Sequence, residues 1–181
     1  NVMATLIKTA DDIKKYVSTA FNFTFNIVKP YVVKSERQKI KTLIGEATYN
    51  AWAETAPTTG NAFLAYELFR EASANLSVLH YIPIGVADHG ITVSTSANTA
   101  TASYGQILDL KRSLIEIANA ALDEALELME ANKNDFPLWT PTEAYTVFKE
   151  LMVQSTSEFN RFFNIQNSRL TFIALRAYQL E

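Results

Sequence analysis

The sequence predicts a mainly α-helical, bundle-like domain carrying one projecting β-hairpin. Three observations predict it. Apolar residues recur at helical spacing through residues 61–81 and 105–132. The five glycines and five prolines are scattered singly, mostly between or near the ends of those periodic segments. One run, HGITVSTSANTATASYGQIL (89–108), is rich in Ser and Thr, carries no charged residue between Asp88 and Asp109, and places Ile91 and Val93 two apart, as one face of a strand requires.

Thr9-Ala-Asp-Asp12 has the spacing of a capping box, so a short helix is expected to about Val17. In STAFNFTFNIVKP the residues Phe21, Phe23, Phe25 and Ile27 alternate with polar ones, which is strand spacing in a run too short to decide between a strand and an extended connector with its aromatics tucked under a helix. A helix is expected from about Asn26, with Pro30 in its first turn and Val33, Ile40, Leu43 and Ile44 as its apolar side; Lys34, Arg37 and Lys41 share another face. Gly45 breaks this helix, a short one continues through Trp52, and TAPTTGN (55–61) is a loop.

A strong helix follows from Asn61 to about Tyr81, with Phe63, Leu64, Leu68, Ala72, Leu76 and Leu79 on its stripe and Pro83 ending it. The hairpin is expected over about 84–104, turning at Ser96-Ala-Asn98. The longest helix runs from about Gly105 to Asn132, burying Ile107, Leu110, Leu114, Ile117, Ala118, Ala121, Leu122, Ala125 and Met129. On it Asp109, Glu116, Asp123 and Glu130 recur every seven residues, a slowly drifting acidic stripe that needs solvent or a positive partner. NKNDFPLWTPTEAY stops and restarts the chain, with Phe136, Leu138 and Trp139 packing the corner. Helices are expected over about Pro141–Gln154 and Thr156–Phe163, and Ser168 caps the last one. That last helix meets no Gly, Asn or Pro before Glu181, so either it frays or the natural chain continues beyond Glu181.

The 181 residues are 48% hydrophobic, enough for a single domain spanning 1–181. With no cysteine, disulfides, thiolate catalysis and cysteine-ligated metals are excluded. With only His80 and His89, a three-histidine zinc site is impossible. No run approaches the roughly 18 apolar residues that span a bilayer, so no membrane partner is expected. The net charge of −3 hides a division: residues 1–50 hold eight Lys/Arg against four Asp/Glu, and residues 51–135 hold four against eleven. Solvated helix faces account for such a pattern, and so does complementary charge between neighbouring copies.

The chemistry-bearing candidates are sparse. Asp88-His89, near Ser94 and Ser96, has the residue types of a nucleophilic triad but lacks a Gly-x-Ser-x-Gly elbow, and Asp-His-Gly is ordinary turn chemistry. A di-iron bundle wants Glu-x-x-His, but Ser77 stands three residues before His80, which is read as a packed or helix-capping imidazole. KSERQKIK (34–41) lacks the interleaved aromatics of a nucleic-acid platform, so nucleic acid is not an expected partner. Phe159, Phe162, Phe163 and Phe172 read as core, with a ligand cage near Phe159, Phe162 and Trp139 as the alternative. The expectation is therefore a non-enzymatic chain with no cofactor, no metal and no catalytic residues.

Four stretches, KPYVVKSERQKIKTLIGEATYNAW (29–52), ADHGITVS (87–94), FPLWTPTEAY (136–145) and SEFNRFFNIQNSRLTFIAL (157–175), together resemble a family of uncharacterised proteins from Bacteroides-type bacteria and their phages. The matching features are the break at Ile44-Gly45, the turn and strand Asp88-His89-Gly90-Ile91-Thr92-Val93, the corner Phe136-Pro137-Leu138-Trp139, and Ser168-Arg169-Leu170-Thr171-Phe172 opening a late helix. These are structural punctuation, and only their conjunction is specific. The resemblance implies a virion component, a head–tail connector or ring adaptor, in a family of longer chains. On that reading the protein is cytoplasmic during assembly and then part of the virion, and its partners are further copies and other virion proteins. Lys34, Arg37, Lys41, Ile91, Val93, Asp109, Glu116, Asp123 and Glu130 are the expected interface residues. The alternative is a helical binding module for a peptide or small ligand.

Overall fold

A computed structural model describes residues 4–17, 24–89, 92–95, 98–101, 103–146, 153 and 155–179; within these, the side chains of 86–89, 92–95, 98–101, 143, 144, 177 and 179 are not described. Two long helices form its centre, α5 (Gly60–His89) and α6 (Tyr104–Ala131). They pack antiparallel: Asn61 at the start of α5 donates to Asp135 just past the end of α6, at 2.7 Å. Small residues let the two backbones approach. Ala65 and Ala72 on α5 and Ala118, Ala121 and Ala125 on α6 are all buried in one core with Phe69, Leu76, Leu122, Leu126 and Met129. From Ala72 to Val78 every residue of α5 is buried, so this helix is enclosed by neighbours on all sides.

One neighbour is a continuous helical arm: α2 (Phe25–Ser35), a π turn (Glu36–Ile40) and α3 (Lys41–Ile44). Five of its buried positions, Val28, Val32, Glu36, Ile40 and Ile44, are each four residues apart, with Ser35 buried beside them. In a regular α-helix a four-residue step overshoots one turn by about 40°, and four such steps would carry the last residue to the opposite face. The wider i→i+5 winding of the π turn absorbs that drift and keeps all five buried along one side of the arm. The expected apolar side is corrected accordingly: Val33 and Leu43 are only partly buried, and Val28 and Val32 do the packing. Helix formation starts at Phe25, so Pro30 lies inside α2 and not in its first turn. It sits on the exposed side, where the lost backbone bond faces solvent.

Gly45 breaks the arm as expected and is required twice over. Its φ of 80° is left-handed, and a Cβ there would lie 2.5 Å from Thr142 Cγ2. Beyond it α4 (Glu46–Glu54) brings Trp52 against Tyr66, Phe69 and Phe136. The FPLW corner packs as expected in part: Phe136 and Trp139 are buried while Leu138 is exposed. Trp139 Nε1 donates to the Leu43 carbonyl at 3.1 Å, tying corner to arm. Short helices α7 (Glu143–Thr146), α8 (Thr156–Phe162) and α9 (Arg169–Leu175) complete the chain. Half of the expected helix 141–154 lies outside the described residues.

The caps at Thr9, before α1 (Ala10–Tyr16), and at Ser168 form as expected. Ser103 and Gln106 make a further capping box that starts α6 one residue earlier than predicted.

The hairpin expectation is corrected. Pro83 does not end α5, which runs on to His89, so residues 84–89 are helix and Asp88-His89 is not a turn. Buried Gly85 permits this continuation, since a Cβ there would press on the Tyr81 ring at 3.0 Å. Among the described residues, extended pairing covers Thr92–Thr95 against Asn98–Thr101, antiparallel, with Thr92 opposite Thr101. Two four-residue strands have no independent stability. The fold class is therefore helical throughout its core, and a projecting β-hairpin is not part of it; the mainly α expectation stands.

A second correction concerns phase. Phe63 and Leu64 of the predicted α5 stripe are exposed, and Ala65, Tyr66 and Phe69 are buried instead. A helix that is apolar nearly all round gives periodicity no phase to report.

The Glu36 carboxylate is fully buried and accepts four hydrogen bonds: from Leu6 N (2.9 Å), Ile7 N (3.1 Å), Tyr49 Oη (2.7 Å) and Ser73 Oγ (2.8 Å). Two of these bonds hold the N-terminal strap 4–7 onto the core. Glu36→Gln replaces one acceptor oxygen with a donor facing a backbone N–H, and the expected loss is about 1–3 kcal/mol. Urea unfolding reads it as a lower midpoint at unchanged slope; an unchanged midpoint contradicts the clasp.

Candidate functional site

The predicted interface residues do not form one site. Lys34 and Arg37 are exposed on the arm, with no ion-pair partner among the described residues. Lys41 is engaged, pairing with Glu46 at 2.6 Å. With Lys29, Pro30 and Val33, the two exposed cations form one side of α2 and the π turn. Lys39 is exposed nearby. The patch extends to α5: His80 is held below its ordinary value, first by burial and then by the charges of Lys34 and Lys39.

The acidic stripe is split by its surroundings. Asp109 and Glu116 are exposed, Asp109 beside Arg112 at 3.8 Å. Asp123 and Glu130 are consumed inside the chain. Asp123 accepts from Ser168 Oγ (2.9 Å) and Leu170 N (2.8 Å), and Glu130 accepts from Arg169 Nε (2.8 Å). Arg169, itself buried, also lies 3.6 Å from Glu127. Half of the stripe thus docks α9 onto α6. The side chains of Asp88, His89, Ile91 and Val93 lie outside what the structure describes.

The rings proposed as a ligand cage do not converge. Trp139 is in the central core, Phe159 packs on Phe172 in a separate cluster, and Phe162 is 71% exposed. Among the described residues no group of three or more acidic or imidazole side chains is placed to hold a metal ion, and no helix is long and apolar enough to cross a membrane.

The concave feature that sequence reasoning missed is a groove of about 490 Å³ between the first half of α5 and the last turns of α6. Leu64, Leu68, Leu128 and Ala131 form its apolar floor, and Glu67, Glu71, Glu124 and Glu127 edge it, with Tyr16 at one end. Leu64 is 51% exposed. A network behind the groove fixes Glu67. It accepts from Tyr16 Oη (2.7 Å), Arg70 Nη1 (2.8 Å) and Lys15 Nζ. Arg70 Nη2 also binds Asp12, joining α1 to α5. Burial alone pushes Glu67 and Asp12 up, but the hydrogen bonds and the Arg70 charge outweigh it, and both carboxyls sit below their ordinary values. Burial and the Glu67 contact push Tyr16 up. Glu71 and Glu124 have no ion-pair partner among the described residues. The sequence signal for the groove was the pair of leucines at 64 and 68, which a core assignment absorbed.

A family model described as a family of unknown function (DUF6712) matches residues 40–149, the span from the end of the π turn to just past α7. Comparison with curated proteins and with solved structures gives no match.

Two predictions follow from these contacts. The lowered Asp12 carboxyl stabilises the fold above its ordinary value of 3.8, and this contribution is lost as pH falls through its depressed value. Asp12→Asn is expected to melt below the unsubstituted chain at pH 7, with the gap closing in strong acid; a gap independent of pH contradicts the pairing. Asp123→Ala is expected to expose the turn at 164–168 to limited proteolysis, at a stability cost of about 1–3 kcal/mol. Cleavage no faster than in the unsubstituted chain shows that α9 is held otherwise.

Proposed function

Since the chain belongs to the family of unknown function DUF6712, we propose its role from its own surface: a non-enzymatic structural subunit of a phage or prophage particle, acting as a head–tail connector or ring adaptor through contacts between subunits. The observation that carries the reading is the placement of opposite charge on two separate surfaces. Lys29, Lys34, Arg37 and Lys39 lie along the arm, while Glu71 and Glu124 edge the α5–α6 groove. The arm packs on the middle and second half of α5, through Glu36–Ser73 and Tyr31–Tyr81, and the groove opens on the first half. Two different patches at different places on one chain generate head-to-tail contacts, which close into rings when the rotation permits.

The resemblance to Bacteroides-type phage proteins supplies the particle context of the proposal. Further copies and other virion proteins are the partners it calls for, met in the cytoplasm during assembly and retained in the virion.

Light scattering over protein concentration and salt tests the subunit role. Self-association that weakens between low salt and about 0.5 M, where the screening length falls to a few ångströms, is expected. A strict monomer at high concentration and low salt overturns it. Mass spectrometry of purified particles from a host carrying the gene tests the context, with the chain expected at many copies per particle.

A further inference from the structure

We infer that the α5–α6 groove is the seat of the α2 arm of a second copy of this chain, an inference that rests on the subunit reading above. The two surfaces match in three respects. The first is shape: Leu64 to Glu71, Glu124 to Ala131 and Pro30 to Arg37 each span seven helical steps, about 10 Å. Two turns of the arm's outer face therefore match in length a groove walled by two turns on each side, as a helix docked in a groove requires.

The second is apolar surface. The arm's outer side presents Ile27, 49% exposed, with Pro30 and Val33, while the groove floor presents Leu64, Leu68 and Leu128. Burying these against each other removes from water the apolar atoms that neither surface covers within its own chain. The third is charge. Lys34 and Arg37 continue the same ridge, and Glu71, Glu124 and Glu127 edge the groove. Glu127 is only loosely held by Arg169, at 3.6 Å and with its side chain 60% exposed. Glu67 is already fixed by Lys15, Tyr16 and Arg70, which makes one wall rigid before any partner arrives.

The donor and acceptor surfaces differ, so the contact is heterologous: each copy offers its arm to one neighbour and its groove to another. The acidic half of the interface is thereby assigned to the groove rather than to the Asp109/Glu116/Asp123/Glu130 stripe, two members of which are occupied by α9.

A charge-swap experiment on the 181-residue chain tests this. One variant carries Glu71→Lys and Glu124→Lys, the other Lys34→Glu and Arg37→Glu, and circular dichroism checks that both fold. Each alone is expected to lose self-association, with its dissociation constant raised by at least about tenfold. An equimolar mixture of the two is expected to recover association, with the two variants alternating in the assembly. As a second readout, the chain has no cysteine of its own, so mixing Val33→Cys with Leu128→Cys variants under mild oxidation is expected to give a disulfide-linked pair, and Asp109→Cys in place of Leu128→Cys is not.

Variants that self-associate as the unsubstituted chain does overturn the assignment while leaving the subunit role intact. An unsubstituted chain that stays monomeric overturns both. Loss of association in each variant without recovery on mixing overturns the pairing of these two faces. Binding of a short DNA duplex by the arm of a monomeric chain assigns that face to nucleic acid instead.

Discussion

A single buried carboxylate organises this molecule. Glu36 sits in the π turn of the arm, and its four donors come from three other parts of the chain: the N-terminal strap, α4 and α5. A carboxylate removed from water in this way is costly unless its lone pairs are satisfied. Burial accordingly pushes its acidity down, raising its proton affinity, while Tyr49, Ser73 and the two backbone N–H groups work in the opposite sense. The π turn exists for the same reason. Without its extra winding, Glu36, Ile40 and Ile44 could not share the face that Val28 and Val32 begin. The arm's inner face is fixed on α5 by this clasp, and its outer face is left to carry Pro30, Val33, Lys34 and Arg37.

The second organising feature is the enclosure of α5. Alanines and serines in its middle let the arm and α6 approach closely, and the long α5–α6 pair becomes a rigid spine. Rigidity of this kind suits a surface meant to be read by another rigid body. At one end of the spine the two helices leave the leucine-floored groove open; along the other half of α5 lies the basic arm. Lys34 and Arg37 on the arm and Glu71 and Glu124 at the groove have no ion-pair partner among the described residues, whereas Asp12, Glu67 and Arg70 stitch α1 to α5, and Asp123, Glu130 and Arg169 stitch α9 to α6.

Much of the secondary structure was legible in the residues. The Thr9 and Ser168 caps, the Gly45 break, the burial of Phe136 and Trp139, and most of the buried side of α6 follow from local chemistry acting over a few residues. The failures have equally local causes. Pro83 and the β-branched run after it argued for a hairpin from residue 84, but a proline costs one backbone bond, and Tyr81 packed on Gly85 helps the helix continue. The seven-residue acidic repeat was real as a pattern, yet nothing in α6 alone announces that Ser168, Arg169 and Leu170 return to claim Asp123 and Glu130.

The sequence by itself determined the helical class, the Thr9 and Ser168 caps and the Gly45 break, the absence of thiol chemistry, and the division of charge between the first fifty residues and the middle of the chain. Those properties depend on residue type and on neighbours within about one helical turn. Only the tertiary structure decided which face of α5 is inside, that Glu36 is the buried anchor, that the acidic stripe is half occupied, and that a groove lies between Leu64 and Leu128. Each of these depends on contacts between residues far apart in sequence: Glu36 meets Leu6 and Ser73, and Asp123 meets Leu170. Helical periodicity orders the residues around an axis; it does not say which other helix, strap or carboxylate will occupy the space beside them.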